Sequence, residues 1–464
     1  MRINWQNPKL VSIIVILAVI IIAIFLGKTI TGYSYKVAIA LALGALILFI
    51  TLLNTDAGLT ILIFSMLLSP ELIVGQLPGR DITVRFDDIL LAIITFTWFA
   101  KTAINKGLAL FIKTPLNKAI GVYILVCLIS TLRGVALGFV IPEKGLFYVL
   151  RYIEYFLLFI LVVNHVHSRK QIKFFLTSLF VTCALVSVYG ITLIPQGIRV
   201  SAPFEGETGE PNTFGGYLLF ILCLALGLLL KNVTDRTKIS LFCLLALIFF
   251  PFLYTLSRAS YMAIIFSFLV LIIMTKRKLV LITTMTAIAV LIIVIRPESV
   301  VSRVEYTFQK KQPQLVKIFN VYLDPSASAR IFSWQDSFEA WKERPILGRG
   351  ISGHGFIDGQ YIRTLPEIGA IGLLALLWLF WVIFKHSILI YKKMDEEFYK
   401  GLTLGFIAGF IGLAFHAVTA NTFIMIRTME PFWFVAGIIM MLPRLLDSTE
   451  EENIPAKYNT SFNM

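Results

Sequence analysis

Charged residues make up only 15% of this 464-residue chain, against 58% hydrophobic residues and a mean hydropathy of +0.85. A water-soluble protein of this length needs far more polar surface, so a soluble globular fold is excluded. Cysteine is scarce. Cys127, Cys183, Cys223 and Cys243 all fall inside apolar runs, where a thiol serves as a small apolar filler. No pair has metal-ligand spacing, and none outlines an extracellular disulfide framework. The chain has no Walker phosphate loop, no glycine-rich dinucleotide turn in a βαβ setting and no H-E-x-x-H zinc motif. Neither an ATP-driven pump nor a zinc membrane protease is supported, and the reading calls for no metal and no cofactor.

What the chain has is long apolar runs. About fourteen of them are long enough to span a bilayer as helices, at roughly 10–27, 36–53, 57–75, 87–104, 117–138, 146–165, 171–194, 213–231, 238–256, 260–275, 279–296, 367–386, 401–418 and 430–446. The fold class read from this pattern is an all-α polytopic membrane protein with one transmembrane domain over 1–446. A polar, disordered, cytoplasmic tail is expected over 447–464. The first run lacks a small-residue cleavage site and reads as a retained helix rather than a signal peptide.

The formal net charge is +14, which invites a nucleic-acid reading, but the distribution argues against one. Basic residues cluster in alternate loops: Lys101, Lys106, Lys113 and Lys118; Arg169, Lys170 and Lys173; Lys231, Arg236 and Lys238; Lys276, Arg277 and Lys278; Lys385, Lys392, Lys393 and Lys400. With both termini inside, all of these loops are cytoplasmic, as the positive-inside rule requires. The remaining loops then face outward, among them PELIVGQLPGRDITVRFDD between the third and fourth runs. The turn TLSRAS is very tight, and a long polar segment covers 297–366.

That segment concentrates ionisable chemistry. Within it, SARIFSWQDSFEAWKERP reads as an amphipathic helix over about 328–344, with Ile331, Trp334, Phe338 and Trp341 on one face and Pro345 and Gly348 ending it. Such a helix suits a membrane interface or packing on other helices. Asp358, His354 and Glu367 are the acid/base candidates. Glu367 equally fits a cap at the start of the twelfth run, since helix N-termini favour carboxylates. Arg258 stands in a turn too short to leave the membrane surface, where a cation needs a partner or a wet cavity. It suits either a lipid-linked phosphate or nonspecific headgroups. Arg199 precedes a turn-rich stretch with Glu205, Glu207 and Glu210. Arg151 and Glu154 lie three residues apart within the sixth run, as a functional pair or a structural one. His416 lies near the end of the thirteenth.

Four segments together resemble the O-antigen ligase and polymerase superfamily (WaaL/Wzy type). RVSAPFEGETGEPNTFGGYL is similar to its arginine and Pro-Asn segment, and TLSRASYM to its Ser-Arg turn. SASARIFSWQDSFEAWKERPILGRGISG resembles its Arg…Trp…Pro-x-x-Gly-x-Gly segment, and DGQYIRTLPEIGAIGLL its Glu-x-Gly-x-x-Gly re-entry. The ligases carry a histidine where this chain has Asp358, which is followed by Gly359, then nine residues, then Gly369; His354 lies four residues before Asp358. This departure favours a polymerase-like member over a ligase.

The resemblance implies a membrane-embedded, GT-C-like glycosyltransferase. Its donor would be a polyprenyl-pyrophosphate-linked glycan on the outer face of the cytoplasmic (inner) membrane. Its acceptor would be a glycan or lipid hydroxyl, and a flippase and a chain-length regulator are its expected partners. Arg199, Arg258, Arg330, Arg303 and Arg151 would bind the pyrophosphate, and Asp358, His354 or Glu367 would act as base. A lipid-linked-oligosaccharide transporter is the alternative of a different class.

Overall fold

In the computed structural model, residues 1–43, 45, 48, 52, 78–79, 105–111, 206–208, 232, 296–300, 303–307, 310–315, 319–320, 356 and 453–464 lie outside the described set. The first expected span, most of the second, Arg303, Glu207 and most of the C-terminal tail therefore fall outside it. Residues 1–62 and 89–108 form one compact unit, and residues 63–88 with 109–464 form another.

The described chain is almost wholly helical. It runs through α1 (Thr55–Leu68), a hairpin of β1 (Glu71–Leu77) and β2 (Arg80–Arg85), then α2 (Phe86–Ile104), α3 (Asn117–Ala136), α4 (Pro142–His165), α5 (Arg169–Leu193) and α6 (Pro211–Leu229). There follow α7 (Asp235–Tyr254), α8 (Arg258–Met274), α9 (Lys278–Ile295), β3 (Phe308–Gln309), β4 (Lys317–Ile318), β5 (Val321–Leu323), α10 (Pro325–Glu343), α11 (Gln360–Lys393), α12 (Glu397–His416) and α13 (Ile426–Glu452). Among the described residues, eight helices are long and apolar enough to cross a membrane: α3 to α7 and α11 to α13. The chain is a polytopic membrane α protein, without support for a count of fourteen. α1 and α8 are apolar but shorter.

The third expected span is a correction. Its helix stops at Leu68, and Glu71–Leu77 turns into a strand paired antiparallel with Arg80–Arg85. Pro70 explains the stop, because the residue before a proline is pushed out of the helical region. The expected span runs on to residue 75, whereas Glu71–Leu77, in the stretch expected as an outward loop, bonds through its backbone to RDITVR.

α6 and α12 pack backbone against backbone, and glycine makes this possible. A Cβ on Gly227 would fall 2.3 Å from the Gly405 nitrogen, and one on Gly405 would fall 2.5 Å from the Cys223 carbonyl. Small residues four apart, here Gly401, Gly405 and Gly409, let two backbones approach without lipid between them. α8 packs on the same α12, α4 on α13, and α3 on α11.

The long polar segment holds more structure than its sequence pattern indicates. Strands β3, β5 and β4 form a small antiparallel sheet with Phe308 opposite Leu323 and Lys317 opposite Tyr322. α10 begins three residues earlier than expected, because Asp324 caps it and Pro325 occupies its first position. Its buried residues are Ser328, Ser337 and Ala340, whereas the aromatic stripe stays partly open and Phe338 is exposed.

α11 starts at Gln360 and breaks at Gly369, whose φ of 70° and ψ of −172° leave the helical region. The break frees backbone groups that must be paired when buried. The segment after α10 satisfies them: Ala370 N donates to Pro345 O at 2.8 Å, Arg349 N to Pro366 O at 2.8 Å and Gly350 N to Glu367 O at 2.7 Å. Gly348, at φ 62°, fits because a Cβ there would lie 2.6 Å from the Glu367 carbonyl. The other side rests on α3, where the Ser130 hydroxyl donates to Glu367 O at 3.0 Å and Arg133 to Gly348 O at 3.1 Å. The Pro-x-x-Gly-x-Gly pattern is thus a backbone plug for a broken helix. Gly348, Gly350 and Gly353 have dinucleotide-turn spacing but follow a helix, α10, rather than a strand.

Candidate active site

The turn between α7 and α8 is three residues long. Ser257 caps α8 by accepting from Ser260 N at 3.3 Å, and Leu256 takes a positive φ of 50° to close the turn. Arg199 reaches this turn from the loop after α5. Its Nε donates to Thr255 O at 3.0 Å and its guanidinium also reaches Leu256 O at 3.4 Å. Arg199 therefore lies against the carbonyls that immediately precede Arg258.

Arg258 is held from the other direction by Asp324. One guanidinium nitrogen donates to Asp324 Oδ2 in a close contact, and the second to Oδ1 at 3.3 Å. The same carboxylate caps α10 by accepting from Ser326 N at 3.0 Å and Ala327 N at 3.2 Å. Burial alone would raise the Asp324 carboxyl, but Arg258 and the two N–H donors outweigh it and hold it below its ordinary value. One aspartate thus ties the Ser-Arg turn to the N-terminus of the polar segment's main helix.

Six residues along from that cap, Arg330 Nε donates to Asp358 Oδ2 at 3.0 Å. Trp334 donates its indole N–H to the Asp358 carbonyl at 2.6 Å. His354 Nε2 lies 3.3 Å from Asp336 Oδ2. Three contacts therefore lay residues 354–358 along α10. Beyond them, Gln360 N donates to Ala417 O at 2.8 Å and the Asn421 amide to Ile357 O at 2.7 Å, which fixes this loop to the end of α12. The candidate acid/base residues Asp358 and His354 and the candidate anion ligand Arg330 are brought together, on an element that Asp324 joins to Arg258.

Glu367 sits elsewhere. It does not cap the span, because α11 begins seven residues earlier. It is buried inside α11, where Oε1 accepts from Arg363 Nε at 3.1 Å and from Ser352 N at 3.1 Å. These contacts stabilise the plugged break. Arg151 also has other neighbours: Asp88 at 3.0 Å, Glu154 at 3.3 Å and the Phe147 ring at 4.8 Å. It belongs to a buried ionic cluster in which Arg85 meets Asp87 at 2.7 Å and Ser69 donates to Asp87 at 2.6 Å. The span-six pair is thus ionic, with Asp88 as a partner that spacing along one helix does not show.

For Glu205 and His416 the sequence offered the residues but not their partners. Glu205 is buried and accepts from Glu210 N at 2.8 Å and Ala202 N at 3.2 Å, with Arg427 at 3.6 Å. Burial pushes its carboxyl up to about 7 against the pull of Arg427. Arg427 also donates to Pro203 O at 2.8 Å and Leu67 O at 3.0 Å, so it shapes the loop that carries Arg199. An arginine beside the last apolar run was the available signal. His416 joins Ser260 and Thr422 in a relay with contacts of 3.2 and 2.8 Å. It buries His416 as a hydrogen-bonded packing residue behind the Ser-Arg turn. Among the described residues, no group of three or more His, Cys, Asp or Glu side chains is arranged to hold a metal ion.

The profile of a family described as O-antigen ligase matches residues 241–376. The matched stretch includes Arg258, Asp324, Arg330, His354 and Asp358, together with the plugged break of α11. It leaves Arg199 outside. No curated protein matches the chain.

Proposed function

With residues 241–376 assigned to the O-antigen ligase and polymerase superfamily, we propose that this multi-pass membrane protein is a glycosyltransferase that moves a glycan from a polyprenyl-pyrophosphate carrier to an acceptor hydroxyl. The acceptor is a second lipid-linked repeat unit, which makes the protein a polysaccharide polymerase. Asp358 at the position of the ligase histidine favours this over transfer to a lipid A core or a protein. The observation that carries the proposal is the convergence on the start of α10: Arg199 and Arg258 share one turn, and Asp324 joins that turn to the helix bearing Arg330.

Arginine is suited to a departing pyrophosphate, because it stays charged and offers forked donors to phosphate oxygens. The N-terminus of α10 adds a partial positive charge to the same place. Asp358 is only partly buried and touches Arg330 through one nitrogen. An incoming pyrophosphate takes over that guanidinium and releases the carboxylate. Asp358 then accepts the proton of the acceptor hydroxyl, whose oxygen bonds to the anomeric carbon with inversion. The bond from that carbon to the pyrophosphate oxygen breaks, and its electron pair leaves with the pyrophosphate on the arginines. Preorganised positive charge aimed at the leaving group is the main stabilising effect. His354, oriented by Asp336, is the second choice of base.

The site belongs on the outer face of the cytoplasmic membrane. α8 carries Arg258 at its first residue and meets Lys276, Arg277 and Lys278 just past its last, so site and basic loops lie at opposite ends of one helix. The test is purified protein with labelled lipid-linked repeat units and no nucleotide. Longer glycan is the expected product. Movement of the lipid across the bilayer with no new bond would replace this reading with a transporter.

A further inference from the structure

The basic end of the bundle holds a feature that transfer does not use. α5, α7 and the start of α12 enclose a lateral groove of about 600 Å³. Its walls are apolar, with Leu176 and Phe180 from α5 facing Leu244 from α7. Lys173 and Arg236, near the first residues of α5 and α7, line it as well and make its end at those helix starts, its mouth, cationic. The volume is that of a small-molecule site.

Charge pairing around the mouth is uneven. Arg169 meets Glu396 at 2.6 Å, Lys238 meets Asp235 at 2.9 Å and Lys231 meets Glu397 at 3.8 Å. Among the described residues, neither Lys173 nor Arg236 has a carboxylate partner within ion-pair distance, and Lys173 lies 5.4 Å from the Phe398 ring centroid. The two cations that line the groove are thus left for an anion, while three cations around them are neutralised. An apolar slot between membrane-crossing helices with such a mouth matches one chemistry: a phosphate attached to an acyl chain.

We propose that this groove binds one anionic phospholipid, with its phosphate on Lys173 and Arg236 and an acyl chain between α5 and α7. Basic pockets between membrane helices select anionic headgroups by this means. A zwitterionic lipid brings its own ammonium, which the two cations repel. The site is separate from the transfer site, since α7 begins at the groove and ends at the turn before Arg258. It therefore does not depend on the identity of the glycan donor.

The test is native mass spectrometry of the full-length protein in mild detergent, titrated with phosphatidylglycerol, with phosphatidylethanolamine of the same acyl chains, or with glycerol phosphate. Phosphatidylglycerol is expected to be retained in preference to both. Lys173→Gln and Arg236→Gln are each expected to weaken it about fivefold. Lys342→Gln, on an exposed face of α10, is expected to leave retention unchanged. Equal retention of the two lipids, or undiminished phosphatidylglycerol binding by the Lys173→Gln/Arg236→Gln protein, would overturn the proposal. Glycerol phosphate bound as tightly as phosphatidylglycerol would overturn the acyl-chain half, and with it the assignment of the groove.

Discussion

Arg258 and Arg330 each hold an aspartate, and the two arginines are equally open, each side chain being 23% exposed. Their partners differ. Asp324 is 0% exposed, receives both guanidinium nitrogens and caps α10 as well. Asp358 is 36% exposed and receives only Arg330 Nε. The first carboxylate has no alternative partner in water, whereas the second does. Identical residue types thus give an anchor in one place and an exchangeable counterion in the other. The surroundings of the acid, rather than the arginine, decide which.

The comparison breaks most sharply on the arginines. Each of Arg258→Ala and Arg330→Ala is expected to slow transfer by about 10²–10³, the usual cost of a lost charge-stabilising donor. Only Arg258→Ala should also markedly lower the protein's stability, because it leaves the Asp324 carboxylate buried without its cation, at about 3 kcal/mol. Arg330→Ala should cost under about 1 kcal/mol, as for an open ion pair. Thermal denaturation alongside the glycan-extension assay separates these effects. Equal losses of stability in the two variants would remove the distinction.

Asp358→Asn probes the exchangeable member. If the released carboxylate is the base, kcat should fall by about 10²–10⁴. KM for the lipid-linked donor should fall as well, because an amide competes less well than a carboxylate for Arg330. A purely structural Asp358 would leave kcat near normal, and an unchanged KM would end the counterion-exchange scheme. This opposite movement of kcat and donor affinity is not expected of the Asp324 pair.

Asp324→Asn should act on stability instead. Asparagine caps a helix about as well as aspartate, so the loss is that of the charged contact with Arg258, about 2 kcal/mol. The pH dependence follows from the depressed folded pKa. Such a carboxylate contributes stability that is present above its unfolded pKa and lost as the pH falls through its folded value. The wild type should therefore weaken on strong acidification, and the variant's melting temperature should change less across that window. A parallel acid profile in both proteins would assign the effect to other carboxylates.

The sequence carried the helices and the candidate residues well, and their partners poorly. Runs with helical length reappear as α3 to α8 and α11 to α13, because apolar length and turn residues are local properties. The amphipathic helix was readable for the same reason, although its buried face proved to be Ser328, Ser337 and Ala340. Partners are not local: Arg258 and Asp324 are 66 residues apart, and Arg330 and Asp358 are 28 apart. Glu367 was misplaced because a carboxylate near the start of an apolar run looks like a cap. The helix starts earlier, at Gln360, and its break at Gly369 depends on the carbonyls of Pro345 and Ile346 and the N–H groups of Arg349 and Gly350. The expected span over 57–75 is too long because a short apolar run does not by itself tell a strand from the end of a helix.

The weakest expected effect sharpens the comparison furthest. Lys342 and Glu339 lie 2.7 Å apart on α10, closer than Arg330 and Asp358 at 3.0 Å. If distance set the worth of an ion pair, Glu339→Gln would be the more damaging change. Both side chains are well exposed, however, and the pair is spaced i, i+3 on one helix. Water and salt screen such a pair, and holding two long side chains together opposes the gain. Glu339→Gln is therefore expected to change stability by less than about 0.5 kcal/mol and to leave donor KM untouched. A loss as large as that of Asp324→Asn would mean that geometry outweighs burial on this helix, and the contrast between anchor and counterion would have to be rebuilt on distance.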